Sequence, residues 1–88
     1  MMDELTTLKN IGPRTAEWLR EIGVYSRADL EKLGAVEAYW LINSLGYHTT
    51  AVLLYALQGA ILNIHWNEVP PQMKQALKEA AAGYRFTD

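Results

Sequence analysis

The chain has no cysteine. Disulfides, thiolate metal sites and cysteine nucleophiles are excluded together, and a reducing, cytoplasmic setting is the expected one. No charged segment followed by an apolar core stands at the start, so no secretory signal is expected. The most apolar stretch, "AVLLYALQGAILNI" at 51–64, is interrupted by Gln58, Gly59 and Asn63. It falls short of the ~20 apolar residues that a bilayer span requires. An excess of basic charge is also missing. Eight Lys and Arg stand against ten Asp and Glu, a net charge of −2, so no field of the whole molecule draws nucleic acid. Charge is nearly absent from the middle, where Glu37 is the only formally charged residue in 33–66. That stretch is the expected interior, and the two ends carry the solvated faces.

Half of the 88 residues are hydrophobic and a fifth are charged, a globular composition sized for one domain spanning 1–88. Such a chain buries roughly 60–65% of its unfolded surface, enough to fold alone with little margin. The pattern is all-α, a small bundle of five to six helices. A short helix is expected over 3–7, with Asp3 and Glu4 favourable at its start. Pro13 suits the first position of a second helix. Ala16, Trp18, Leu19 and Ile22 form that helix's apolar face, and Gly23 stops it. Ser26 and Asp29 have capping-box spacing for a third helix that Gly34 ends. A fourth runs over 35–45 to Gly46. Thr49 or Thr50 caps a fifth that ends near Ile64, apolar nearly all round and therefore central. "HWNEVPP" is a connecting loop. Pro71 opens a sixth helix with Met73, Ala76, Leu77 and Ala80 inward and Gly83 as its end. The tail 84–88 then docks through Tyr84 and Phe86 or frays.

Displaced by 22 residues, the sequence matches itself. "LKNIGPRTAEWL" (8–19) lies over "LEKLGAVEAYWL" (30–41), with five identities in twelve: Leu8/Leu30, Gly12/Gly34, Ala16/Ala38, Trp18/Trp40 and Leu19/Leu41. Each copy reads as helix, tight turn, helix. The glycine passes through a conformation that a side chain would obstruct, and the small alanine four residues on admits close helix contact. Only the first copy has Lys9, Pro13 and Arg14 around its turn. If one turn meets an anion, it is this one.

"NIGPRTA" resembles the helix-hairpin-helix motif, in which backbone N–H groups at a helix start hold a DNA phosphate without reading sequence. Gly12 and Ala16 are in register, and Asn10 stands where the first glycine of the motif is expected. The resemblance implies phosphate contact through Lys9, Asn10, Gly12, Arg14 and Thr15, weak and salt-sensitive, with double-stranded DNA as the partner. Over nearly the whole chain, the landmarks "NIGP", "AEWLREIG", "LGAVEAY", "LLYALQGA" and "HWNEVP" resemble, in order, the C-terminal domain of the TfoX/Sxy competence regulators. This implies a bundle similar to sterile-alpha-motif (SAM-like) and helix-hairpin-helix domains, an orthogonal packing of short helices. The full regulators carry an additional N-terminal domain and promote transcription of DNA-uptake genes with the cyclic-AMP receptor protein. "WLIN" at 40–43 departs from the basic residues expected there in the family.

Two kinds of function follow. One is a protein-interaction module, whose interface candidates are Trp40, Leu41 and Trp66, meeting a partner protein or a second copy. The other is the DNA contact just described. Trp18 and Trp40 have the helical setting of core residues. Trp66 lies in a loop, where it either pins the loop on the fifth helix or serves recognition, with His65 or Asn67 bonding nearby backbone. His48 and His65 lack metal-ligand spacing. No nucleophile, base and orienting group can be assembled. The expected chain is therefore not an enzyme, and no metal, cofactor or small-molecule substrate is implied.

Overall fold

The computed structural model describes residues 4–85. Within them the chain forms α1 (Glu4–Thr7), α2 (Pro13–Glu21), α3 (Arg27–Leu33), α4 (Ala35–Ser44), α5 (Ala51–Leu62), a 3₁₀ turn (Trp66–Glu68) and α6 (Pro71–Arg85). Asp3 and Phe86, expected in the first helix and the docking tail, lie outside the described residues.

Local chemistry accounts for most boundaries. Pro13 opens α2, where its missing N–H costs nothing. Ser26 caps α3, its Oγ accepting from the Asp29 N–H at 3.1 Å. Asp29 in turn accepts from the Tyr25 N–H at 3.0 Å, one residue earlier than a capping box would have it. Thr50 sits at the N-cap of α5 but makes no side-chain cap bond. Thr49 Oγ1 instead accepts from Asn43 Nδ2 at 2.7 Å, tying the end of α4 to the connection that follows. Gly34, at φ +90°, both ends α3 and starts α4. That backbone conformation is strained for any L side chain, which is why two helices can meet there without a loop.

The internal repeat is visible in the backbone. Gly12 O accepts from the Ala16 N–H at 2.9 Å and Gly34 O from the Ala38 N–H at 3.0 Å. Both alanines are fully buried. The turns themselves differ. The expectation that Gly12 adopts a conformation closed to side chains is wrong: Gly12 is extended, at φ −91° and ψ −179°, with open space where a Cβ would stand. The left-handed residue of the first turn is Asn10, at φ +70°.

α5 is the core of the bundle. Leu53, Leu54, Ala56, Leu57, Gly59 and Ala60 are buried on it, packed with Leu5, Leu19, Leu30 and Ile42 from the surrounding helices. Each such Leu or Ile contributes about 1.5–3 kcal/mol relative to exposure.

The C-terminus of α5 is where the chain closes on itself. The helix stops at Leu62, earlier than expected, because Asn63 takes the left-handed cap conformation at φ +61°. The Ile64 N–H then turns back to Gly59 O at 2.9 Å. Two distant residues complete the cap. Arg27, opening α3, donates Nε–H and Nη2–H to Ile61 O at 3.1 and 2.7 Å, a cation on carbonyls at the negative end of the helix. Its own N–H donates to Glu4 Oε2 at 3.0 Å, so α1, α3 and α5 are joined at one point. Asn10 is the second. Its Nδ2 donates to Ile64 O at 3.0 Å and Ala56 O at 3.3 Å, and its Oδ1 accepts from the Trp66 N–H at 3.0 Å.

Gly59 makes room for Asn10. A Cβ at position 59 would lie 2.5 Å from Asn10 Nδ2, 2.8 Å from Ile64 O and 3.4 Å from Trp66 Cα. The segment after α5 is also more regular than a loop. His65 and Glu68 close a capping box around the 3₁₀ turn, and Val69 behind it is buried.

α6 departs from expectation in two respects. It runs through Gly83 to Arg85, and its inward residues are Met73, Lys74 and Leu77, half-buried, and Ala81, buried, whereas Ala76 and Ala80 face solvent. Met73 and Leu77 belong to either stripe, and the 3.6-residue period allows both Ala76 with Ala80 and Lys74 with Ala81 beside them; the fold takes the second.

Gly59→Ala is expected to destabilise the domain although alanine gains ~1 kcal/mol of helix propensity over glycine. Overpacking against a pinned amide and a backbone carbonyl should exceed that gain, for a net loss of about 2 kcal/mol. Thermal denaturation should show this as a midpoint lower by roughly 10 °C. Arg27→Met, which keeps the aliphatic stem, should cost about 1.5 kcal/mol by urea denaturation through loss of the charged cap.

Candidate functional site

The hairpin at residues 9–15 joins α1 to α2. Lys9, Gly12 and Arg14 are exposed, and Asn10 and Thr15 are half-buried. The N-cap position of α2, Gly12, provides no side-chain bond. The amides of Arg14 and Thr15 fall in the first turn, where an α-helix has no acceptor of its own. Two exposed cations and an uncapped helix start are thus in one place. Asn10, however, faces away from solvent ligands. Both ends of its carboxamide are committed to the segment after α5.

The flank of α2 next to this turn is acidic and aromatic. Arg14, Glu17, Trp18, Glu21 and Tyr47 line an open depression of about 240 Å³. Tyr47, in the connection between α4 and α5, stacks on Trp18 with ring centroids 4.9 Å apart and planes 23° from parallel. Its phenol O–H donates to Glu21 Oε2 at 2.5 Å. That hydrogen bond holds the Tyr47 phenol above its ordinary titration range, with loss of hydration and the charges of Glu21 and Glu17 acting in the same direction. The positive charge of Arg14 therefore shares its surroundings with two carboxylates.

The proposed protein-contact residues divide between two places. Trp40 and Leu41 are half-buried on α4. Trp66 is half-buried in the 3₁₀ turn, its N–H tied to Asn10. Lys74 Nζ lies 5.4 Å from the Trp66 ring centroid and 5.3 Å from that of Tyr55, a cation–π arrangement that fastens α6 to this corner. Trp66 is thus joined to the hairpin through its backbone N–H and to α6 through its ring. His65 Nδ1 and Asn67 Oδ1 lie 2.7 Å apart and help shape the turn. Among the described residues, the most exposed large apolar ones are Tyr25 at 61%, Leu45 at 49%, Val52 at 46% and Leu62 at 41%. Leu45 follows α4 and Val52 lies in the first turn of α5, so both stand at the corner that succeeds Trp40 and Leu41.

Several residues at these sites have no obvious sequence signal. Arg27 reads only as one more surface cation, and Tyr47 as one aromatic in an apolar stretch. Gly59 does carry a signal, since glycine inside a helix is costly and marks close approach of another backbone or side chain.

Glu21→Gln should lower the Tyr47 titration midpoint toward that of free tyrosine, as followed by absorbance at the phenolate band. A phenol held protonated in the folded state contributes stability below the ordinary tyrosine range, and that contribution is lost as pH rises through the folded-state midpoint.

No curated protein sequence matches this chain. Among solved structures, it is similar to an uncharacterized protein from Listeria monocytogenes in a triclinic crystal form. That match has a TM-score of 0.85 and 28% identity over 93% of each chain. It is also similar to a protein of unknown function from Listeria monocytogenes in a tetragonal form, with a TM-score of 0.82 and 29% identity, covering 90% of this chain and 98% of the other. The family model described as the TfoX C-terminal domain matches residues 1–81. The landmarks from the "NIGP" turn to "HWNEVP", the helical bundle they build and this match together place the chain in the TfoX C-terminal domain family.

Proposed function

We propose that this domain is a non-enzymatic protein-interaction module acting in the regulation of competence and DNA-uptake genes. The observation that carries this reading is the apolar corner between α4 and α5. Leu45 at the end of α4 and Val52 at the start of α5 are each about half exposed, Trp40 and Leu41 of α4 are half-buried, and the one formal charge of 33–66 is Glu37. Apolar surface gathered in a charge-poor region is characteristic of a contact site. The regulatory context comes from the family. The partner is a protein, either a second copy of this chain or another component of the same regulatory system, in the cytoplasm.

A second reading has its own observation. Exposed Lys9 and Arg14 beside the uncapped start of α2 would suit weak contact with DNA phosphates. Two features favour the first reading over it. Glu17 and Glu21 offset the charge of Arg14 locally, and the Asn10 carboxamide is committed to the domain's own backbone.

Two measurements decide between the readings. Sedimentation equilibrium should show concentration-dependent association that Leu45→Glu/Val52→Glu abolishes while far-UV circular dichroism stays unchanged. Titration of labelled duplex DNA at low salt should show no saturable binding, or binding that Lys9→Ala/Arg14→Ala leaves unaltered. A strict monomer whose DNA affinity falls steeply with salt, and falls again in the double variant, would transfer the function to the hairpin.

A further inference from the structure

α6 packs along both α4 and α5, yet it buries the smallest share of its described residues of any helix in the bundle. Among its residues 71–83, Ala81 is the only one buried, with Met73, Lys74 and Leu77 half-buried. α5, of twelve residues, buries six. Below the C-terminal half of α6 lies a crevice of about 230 Å³, lined by Tyr39, Ala51, Leu54, Lys78, Ala81 and Ala82. The small side chains of Ala81 and Ala82 leave that space unfilled, so fewer dispersion contacts form at this point of the helix than larger side chains would make. The polar ties are of a weak kind. Gln58 Nε2 donates to Met73 Sδ at 3.6 Å, and Lys74 lies over the Tyr55 and Trp66 rings.

The join to the rest of the chain allows movement of the whole helix. Val69 is buried and anchors the chain before α6. Pro70 and Pro71 follow, and neither has an N–H to tie the start of the helix to the body. The first internal bond of α6 runs from the Lys74 N–H to Pro70 O at 2.9 Å, so the helix is complete in itself from its first turn.

We infer that α6 is a hinged strap: it opens as a unit about Val69–Pro71 while α1 to α5 stay folded, and so uncovers the face of α4 and α5 formed by Tyr39, Leu54 and Tyr55. Lys74, held between two aromatic rings, is its latch. The inference rests on burial, the crevice and the proline join. It does not depend on the reading of the Leu45–Val52 corner.

Native-state hydrogen exchange of the whole chain in sub-denaturing urea tests it. The detached helix melts in water, so amides of 75–83 should exchange together, at least about tenfold faster than those of 54–60, and with a urea dependence that is measurable but smaller than that of α5. Lys74→Ala should speed exchange in α6 by about threefold, the equivalent of one cation–π contact, and leave α5 unchanged. Ala81→Leu, which fills the crevice, should slow exchange in α6 alone. The wild-type and Lys74→Ala measurements decide the matter should Ala81→Leu fail to fold. Equal protection and equal urea dependence in α6 and α5 would overturn the proposal. So would a gradient of exchange that starts at residue 85 and leaves the first turn of α6 as protected as α5.

Discussion

A single carboxamide joins the beginning of this chain to its middle. Asn10 leaves the first turn in a left-handed conformation and reaches residues 46 to 56 positions away. There it supplies donors to two backbone carbonyls and an acceptor to a backbone N–H. Left unsatisfied in a partly buried place, each of these groups would cost about 1–3 kcal/mol. No aliphatic side chain could substitute, and a charged one would present the wrong polarity to at least one partner. The glycine inside α5 answers to this residue and to the Ile64 carbonyl, both of which a β-carbon would crowd. Gly59 weakens its helix locally and in return lets the amide lie against the helix backbone.

Much else is arranged around the same point. The C-terminus of α5 is capped by Asn63 from within, by Arg27 from α3 and by Asn10 from the first turn, and Glu4 ties α1 to Arg27. The Trp66 turn is held by Asn10, and Trp66 with Tyr55 receives Lys74 of α6. The hairpin whose sequence resembles a phosphate-contact motif thus serves in this chain as an internal bracket. That arrangement explains how Asn10 can stand where the motif has a glycine. Asparagine tolerates positive φ better than other side-chain-bearing residues, and here its side chain has a structural task as well.

The all-helical fold was largely legible in the sequence because its punctuation is local. Pro13 at a helix start, Ser26 as a cap, and Gly23, Gly34 and Gly46 as stops act through their own backbones or those of near neighbours. The repeat was legible for the same reason, since its glycine and alanine recur at helix starts. What could not be read depended on distance in the chain. The sequence suggested Asn10 as a phosphate contact and Gly59 as a mere interruption, and only the fold places them against each other. Arg27 became a cap because α3 starts beside the end of α5, which no local pattern announces. In α6 both alanine stripes satisfy the helical period, and the choice between them belongs to the surfaces of α4 and α5. Trp40, Leu41 and Trp66 read alike as apolar candidates, and the fold sets the first two on α4 and Trp66 in the 3₁₀ turn that follows α5.

The dependence of Asn10 and Gly59 on each other is measured most directly by a double-mutant cycle of Asn10→Gly, Gly59→Ala and the pair, followed by urea denaturation. Glycine at position 10 keeps the left-handed turn but vacates the space that a β-carbon at position 59 would enter. The double variant should therefore lose less stability than the two single losses added together, by about 1–2 kcal/mol. Losses that add to within about 0.5 kcal/mol would show the two sites to be independent and would contradict the account.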